Sequence, residues 1–268
     1  MFKGLLVLLP ALLLAGFAPA APARAADTGR LYLVGLGVGD RDNMTLRAQK
    51  IVAKADVVFA MKRMLKDYAE MLEGKDLYDA GHGLFASFGR RGGDSSALEA
   101  QARKVIRKAV AEGKTVAILD GGDPMIYGPH TGFLTEFADL NPEVVPGVSS
   151  FNAANAALLR GVASGKVSHS VILTAAFGVR EGYTGKDTLA ELGKTQSTMV
   201  FFTMGMNLPE VVEQLKRSYP ADTPIAIVSY AGYRDKEQVL RATLDTILER
   251  SGGKLPFEHL IYVGDFLK

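Results

Sequence analysis

No cysteine occurs anywhere in the 268 residues. That excludes disulfides, thiolate metal sites and a cysteine nucleophile, and leaves no thiol for an oxidising compartment to attack. Histidine is scarce: the four residues His82, His130, His169 and His259 are scattered, and none belongs to a His-Glu-x-x-His helix, so a metal centre is not indicated. A Ser-His-Asp signature and a phosphate-binding Walker loop are missing as well. There is also little excess charge, with 31 basic residues against 29 acidic ones interleaved along the chain. A nucleic-acid binder carries a basic surplus or stripe, and this sequence has neither. No fixed-period repeat is present, which excludes a solenoid.

What the chain does have is apolar content, 48% of its residues, enough to bury a substantial core. Its 29 glycines and 11 prolines are spread between apolar runs, a pattern of many turns joining short elements. The first residues set the compartment. Lys3 gives a positive start, residues 4–17 are almost wholly apolar, and Ala23-Arg24-Ala25 is a small-x-small cleavage pattern. Residues 1–25 are therefore expected to be a signal peptide cut before Ala26, and the mature protein to be exported to the periplasm. An uncleaved anchor is the other reading, although the run is short for a bilayer that takes about 20 apolar residues. Loss of Lys3 and Arg24 would leave 29 basic against 29 acidic residues.

From residue 30 onward, strand-like and helix-like stretches alternate. Residues 31–34, 57–60, 115–119 and 143–145 read as strands, and residues 46–55, 98–111, 133–137 and 151–159 as helices. Such β-α alternation predicts a largely parallel sheet covered by helices. Beyond a Gly- and Ser-containing stretch the pattern changes. Strands are expected at 171–174, 198–203, 225–230 and 260–263, and a further strand or turn edge at 239–243, with helices near 208–216 and 244–250, giving a mixed sheet. The fold class is thus α/β with two domains, residues 26–165 and 166–268.

The loop Gly35-Leu36-Gly37-Val38-Gly39-Asp40 follows the first strand, where open α/β sheets bind ligands. A dinucleotide fingerprint needs Gly-x-Gly-x-x-Gly; here the third glycine comes one residue early, and no acid ends the second strand. Other segments follow in order: Met44-Thr45, Ala55-Asp56-Val57-Val58, Gly122-Asp123-Pro124 with Tyr127-Gly128, Pro146-Gly147-Val148-Ser149-Ser150, Met204-Gly205, Arg241-Ala242-Thr243-Leu244 and Val263-Gly264. Together they resemble the tetrapyrrole (corrin and porphyrin) methylase family, from about residue 31 to the C-terminus. The resemblance implies two α/β domains, S-adenosylmethionine in the cleft between them, and a homodimer. Carried over by position, the cofactor would meet Val38, Gly121, Gly122, Asp123, Ile126, Ser149 and Ser150 on the first domain, and Met204, Gly232 and Thr243 on the second. Amides and hydroxyls suit its carboxylate and ribose, and Ile126 and Met204 suit adenine. Met204 taken alone also suits plain core filling.

Methyl transfer from a sulfonium is a displacement promoted by holding donor and acceptor in line, so no conspicuous protein nucleophile is required. In some members that methylate uroporphyrinogen an acid follows the Ala-Asp-Val-Val strand; here Met61 stands there. A basic residue of the next loop falls near His82, the one catalytic candidate, which could donate a proton near neutral pH. A surface histidine in the turn Gly81-His82-Gly83 fits that position equally well. Arg90 and Arg91, in a glycine-rich basic loop, are candidates for the carboxylates of a tetrapyrrole acceptor, or else are simply solvated. Val38 replaces a frequent proline and Ala242 a frequent glycine of the family. Two functions are weighed: an S-adenosylmethionine-dependent methyltransferase acting on a tetrapyrrole or related small acceptor, and an exported non-catalytic protein that reuses the cleft to bind a tetrapyrrole or nucleoside-like ligand. The motifs favour the first; the leader and Met61 favour the second.

Overall fold

The computed structural model describes residues 29–85, 95–175, 182–202, 206–252 and 255–268; the expected signal segment lies outside them. In the first half, β1 (Arg30–Gly35), β2 (Val57–Ala60), β3 (Asp76–Asp79), β4 (Thr115–Asp120) and β5 (Glu143–Val145) pair in parallel in the order β3-β2-β4-β1-β5. Side chains alternate across a strand, and both faces here are apolar. Leu31, Leu33, Phe59 and Ile118 pack on one side with Ala102 and Ile106 of α3 (Ser96–Ala111). Tyr32, Val34, Val58 and Leu119 pack on the other with Ala48 and Val52 of α1 (Leu46–Lys54). A sheet covered on both faces demands the continuous apolar runs that made these strands legible. Thr45 starts α1 by accepting a hydrogen bond from Ala48 N at 3.1 Å, a side-chain cap that satisfies one free amide of the first turn. The short helices α2 (Lys62–Asp67) and α4 (Gly132–Glu136) complete this half.

The second half opens with α5 (Ser150–Leu158) and contains β6 (Val171–Thr174), α6 (Leu189–Gly193), β7 (Thr198–Phe202), α7 (Leu208–Leu215), β8 (Pro224–Ser229), β9 (Gln238–Thr243), α8 (Ile247–Ser251) and β10 (His259–Val263). Its sheet order is β6-β7-β10-β8-β9, with β6 parallel to β7 and the other pairs antiparallel, the mixed sheet the sequence predicts. Val211, Val212 and Leu215 of α7 cover one face through Phe201, Ile227 and Ile261. The other face, including Val200, Val228 and Tyr262, is covered by Ala154 and Leu158 of α5, and the Tyr262 hydroxyl donates to Phe151 O at 3.0 Å. By its packing α5 belongs to the second sheet, although a boundary near residue 165 places it with the first.

Three elements were not expected from the pattern: α2, β3 and α6. β3 reads Asp-Leu-Tyr-Asp, and its Leu77 is 42% exposed, because an edge strand needs only one covered neighbour. α8 also begins later than the apolar spacing suggests, since residues 243–246 form a turn in which Thr246 N donates to Thr243 O at 3.0 Å. Among the described residues no helix is long and apolar enough to cross a membrane.

His259 opens β10 in the second core. Burial holds its imidazole below the usual 6.5, against the opposing effect of the Pro256 and Phe257 backbone. The unfolded chain then binds the proton more readily. The group's contribution is fully present above about pH 6.5 and is lost as pH falls through the lower folded value. Urea unfolding of wild type and His259→Gln should therefore show stability curves that are parallel above neutrality and converge below it; curves that stay parallel throughout would refute this.

Candidate cofactor cleft

The ends of β1, β4 and β5 meet at the carboxyl edge of the first sheet, and they meet backbone to backbone. Gly37 and Gly122 exchange two hydrogen bonds, Gly122 N to Gly37 O at 2.8 Å and Gly37 N to Gly122 O at 3.2 Å. A Cβ on Gly35 would lie 2.6 Å from Gly122 O, and one on Gly147 would lie 2.1 Å from the same atom. No larger residue fits at either place. Gly122 also adopts φ +71°, a left-handed conformation that glycine accepts without strain.

Around this junction the structure gathers five of the expected cofactor residues. A Cβ on Gly122 would come within 3.3 Å of Val38 Cγ1, 3.8 Å of Ser149 Cα and 4.0 Å of Ser150 N, and one on Gly232 would come within 3.0 Å of Val38 O. Gly121 is exposed, with no atom within 4 Å on its Cβ side. Asp123 shapes the next turn, its Oδ1 accepting from Met125 N at 2.8 Å. Ile126, partly buried, packs on the second core with Phe151 and Ala231.

Two expected contacts take a different form. The Ser149 hydroxyl is committed to capping α5: it accepts from Asn152 N at 3.3 Å and donates to Asn152 Oδ1 at 2.8 Å. That hydroxyl is thus already engaged within α5, and the Ser-x-x-Asn spacing was the readable signal. Thr243 lies apart from the cluster. It pairs with Pro224, whereas the end of the β8–β9 ladder that leads into Gly232 is Ser229 with Gln238, about 17 Å away at the usual rise of a strand. Its hydroxyl instead meets Thr246 Oγ1 at 3.0 Å. Met204, Arg90 and Arg91 lie outside the described residues. His82 is exposed in the turn after β3, at the same carboxyl edge as the glycine loops but beside the edge strand.

The sequence did not reveal how the halves are tied. Asp40 N donates to Gly232 O at 2.9 Å, and Asn43 Nδ2 donates to Val38 O and Gly232 O at 2.9 and 3.0 Å. Asp40 Oδ2 accepts from Arg234 N at 3.0 Å, and Asp42 pairs with the Arg234 guanidinium. On the other side of the loop the Tyr127 ring packs on Phe202, centroids 4.7 Å apart, and its hydroxyl donates to Leu173 O at 3.2 Å. Burial, with Asp187 nearby, holds that phenol above its ordinary range. An open hollow of about 520 Å³ borders Asn43, Val148, Asn152, Gly232 and Glu237. A hollow of about 50 Å³ beside Tyr219 and Asp265 is too small for a nucleoside and lies away from these loops.

The model of the Tetrapyrrole (Corrin/Porphyrin) Methylases family matches residues 30–248. The chain belongs to this family. Among its relatives is a cobalt-precorrin-4 C(11)-methyltransferase of Methanocaldococcus jannaschii, 32% identical over 228 residues that make up 82% of this chain and 81% of the relative. A uroporphyrinogen-III C-methyltransferase of the same organism is 30% identical over 237 residues, 84% of this chain and 90% of the other. Among solved structures, a cobalt precorrin-4 methyltransferase superposes with TM-score 0.70 at 25% identity, covering 89% of this chain and 96% of that one. A uroporphyrin-III C-methyl transferase from Thermus thermophilus, complexed with S-adenyl homocysteine, gives 0.64 at 25% identity, covering 89% and 99%. The two-domain tetrapyrrole methylase fold expected from the motifs is the fold observed.

The glycine junction makes a direct prediction. Gly147→Ala must displace the Gly122 carbonyl and should lower stability by about 1–3 kcal/mol, the usual cost of overpacking, read as a lower urea midpoint. Gly121→Ala, which meets open space, should stay within about 0.5 kcal/mol of wild type. Equal effects would contradict the geometry.

Proposed function

We propose that this tetrapyrrole methylase binds S-adenosylmethionine at the Gly121–Gly122 loop and transfers its methyl group to a carbon of a reduced tetrapyrrole. The observation that carries the reading is the convergence of Val38, Gly122, Ser149, Ser150 and Gly232 at the junction of the two sheets, with Gly121 open beside them. The residues suit that cofactor: Gly121 leaves open space in which a ligand can approach the backbone closely, and Val38 and Ile126 offer apolar surface to a base. When bound, S-adenosylmethionine supplies a methyl group on a positively charged sulfur. The chain's part is to hold acceptor and donor in line, which needs no protein nucleophile. A carbon–carbon bond forms, the carbon–sulfur bond breaks to give S-adenosylhomocysteine, and the acceptor yields a proton. His82 is the candidate for proton exchange with the acceptor. Nothing in the comparisons supports the non-catalytic alternative, because the relatives named above are methyltransferases.

Calorimetric titration with S-adenosylmethionine and S-adenosylhomocysteine tests the site. Saturable binding is expected, and Asp123→Ala and Gly121→Leu should each weaken it about tenfold, the scale of one lost or blocked polar contact. Gly121→Leu should do so with an unchanged urea midpoint, which separates a ligand role from a structural one. A folded wild-type protein that binds neither compound would sink the methyltransferase reading.

The same reading includes export to the periplasm as a mature chain beginning at Ala26, and assembly as a homodimer. The leader pattern supports the first and the family resemblance the second. Intact mass of the protein recovered from the periplasm, together with light scattering on a sizing column, checks both: retention of Met1 in a cytosolic fraction would overturn export, and a monomer mass would overturn the dimer.

A further inference from the structure

Behind the Gly121–Tyr127 loop lies a buried ionisable pair that the proposed chemistry does not use. Asp120 ends β4 and is 1% exposed; His130 closes the loop and is 0% exposed. Asp120 Oδ2 and His130 Nδ1 face each other at 3.4 Å, and neither atom has a hydrogen-bond partner. Every other polar atom of the pair is engaged. Asp120 Oδ1 accepts from Gly121 N at 2.9 Å, and His130 Nε2 lies 3.1 Å from Gly81 O. A carbonyl can only accept, so Nε2 carries a hydrogen there. In a neutral ring Nδ1 would then present a lone pair to the carboxylate. The opposite tautomer would point Nε2's lone pair at Gly81 O. Both contacts are satisfied together only when one more proton sits between Nδ1 and Oδ2, and that proton also removes the cost of an isolated buried charge.

The pair is placed to hold the loop. Gly128 packs so closely on it that a Cβ there would lie 2.7 Å from Asp120 Oδ2 and 2.3 Å from Pro124 O. The carboxylate is thus the post around which residues 121–128 wind, and His130 pins the end of the winding to the turn that carries His82. The other ionisable groups on these segments face elsewhere. Asp79 accepts from Gly81 N and lies 3.6 Å from Lys62; Asp123 accepts from Met125 N; His82 is exposed; and Glu136 of α4 pairs with Arg103.

We propose that Asp120 and His130 are positioning residues, a buried pair sharing one proton and carrying no net charge, that set the Gly121–Tyr127 loop for binding the methyl donor. The donor-binding part rests on the cofactor reading above; the shared proton and the loop restraint do not. Asparagine at position 120 tests the idea because its amide reproduces every contact without the proton: Oδ1 accepts from Gly121 N while Nδ2 donates to Nδ1 of a neutral His130. Asp120→Asn should therefore keep S-adenosylhomocysteine affinity within about threefold, whereas Asp120→Leu and His130→Phe, each leaving a buried polar atom orphaned, should weaken it about tenfold. Hydrogen exchange read by mass spectrometry needs no ligand: residues 121–128 should exchange faster in Asp120→Leu and His130→Phe and at the wild-type rate in Asp120→Asn. Nitrogen-15 NMR of the wild-type imidazole should show a solvent-protected proton on the Nδ1 side as well as one on Nε2. An Asp120→Asn variant as impaired as Asp120→Leu, or a bare Nδ1, would overturn the proposal. If the exchange and NMR results hold while wild type binds no S-adenosylhomocysteine, the cofactor reading fails, and with it the donor-binding role, but the pair stands.

Discussion

The carbonyl of Gly122 sits where two other main chains must pass. β1 lies between β4 and β5, so the segments that leave these three strands emerge side by side, and Gly35 and Gly147 approach that carbonyl at distances that leave no room for a Cβ. Most of the site follows from this close packing. With Gly147 fixed, Ser149 is placed to cap α5; with Gly37 and Gly122 hydrogen-bonded, Val38 is aimed at the second half of the chain. Gly122 N is held by the Gly37 carbonyl and Gly121 N by the Asp120 carboxylate, so the loop is fixed by its neighbours before a ligand arrives. Preorganisation of that kind reduces the ordering cost of binding.

The two halves are joined through the same loops that form the cleft, by two contacts of different chemistry. On one side Asp40 and Asn43 hold the Gly232 carbonyl, and Asp40 and Asp42 hold Arg234. On the other, Ile126 and Tyr127 enter the apolar face of the second sheet. Hydrogen bonds set direction and apolar burial supplies most of the free energy, roughly 25 cal/mol per Å² removed from water. The exposed Arg63–Glu258 pair, 3.1 Å apart, adds little by comparison, since surface ion pairs are worth about 0–1 kcal/mol.

Much of this was legible in the sequence where one rule dominates. Strands buried on both faces, such as Val57–Ala60, announce themselves as apolar runs, and the ordered glycine motifs located the junction and the two-domain fold. Edge strand β3 was not legible, because Asp76–Asp79 has no apolar run to show. Thr243 was assigned by motif position, but the antiparallel β8–β9 ladder carries it to the end away from Gly232; register is a tertiary fact that a linear motif does not encode. The Asp120–His130 pair was invisible for a similar reason. Ten positions apart and in no motif, the two meet only because the loop between them folds back over the strand end.

The division between donor and acceptor chemistry accounts for where the family pattern holds and where it breaks. Holding a sulfonium donor asks for small residues that let it approach the backbone closely, and the loops at Gly35–Asp40 and residues 121–128 retain them. Accepting the proton that a tetrapyrrole carbon releases asks for a group matched to one substrate. At the carboxyl end of β2, Met61 stands where the resemblance implies an acid; it occupies the N-cap of α2 without a side-chain cap bond. Among the described residues, the ionisable groups near that edge include Lys62 and Asp79, 3.6 Å apart, and the exposed His82. The chain thus keeps the small residues of the glycine loops and departs from the implied pattern at the carboxyl end of β2.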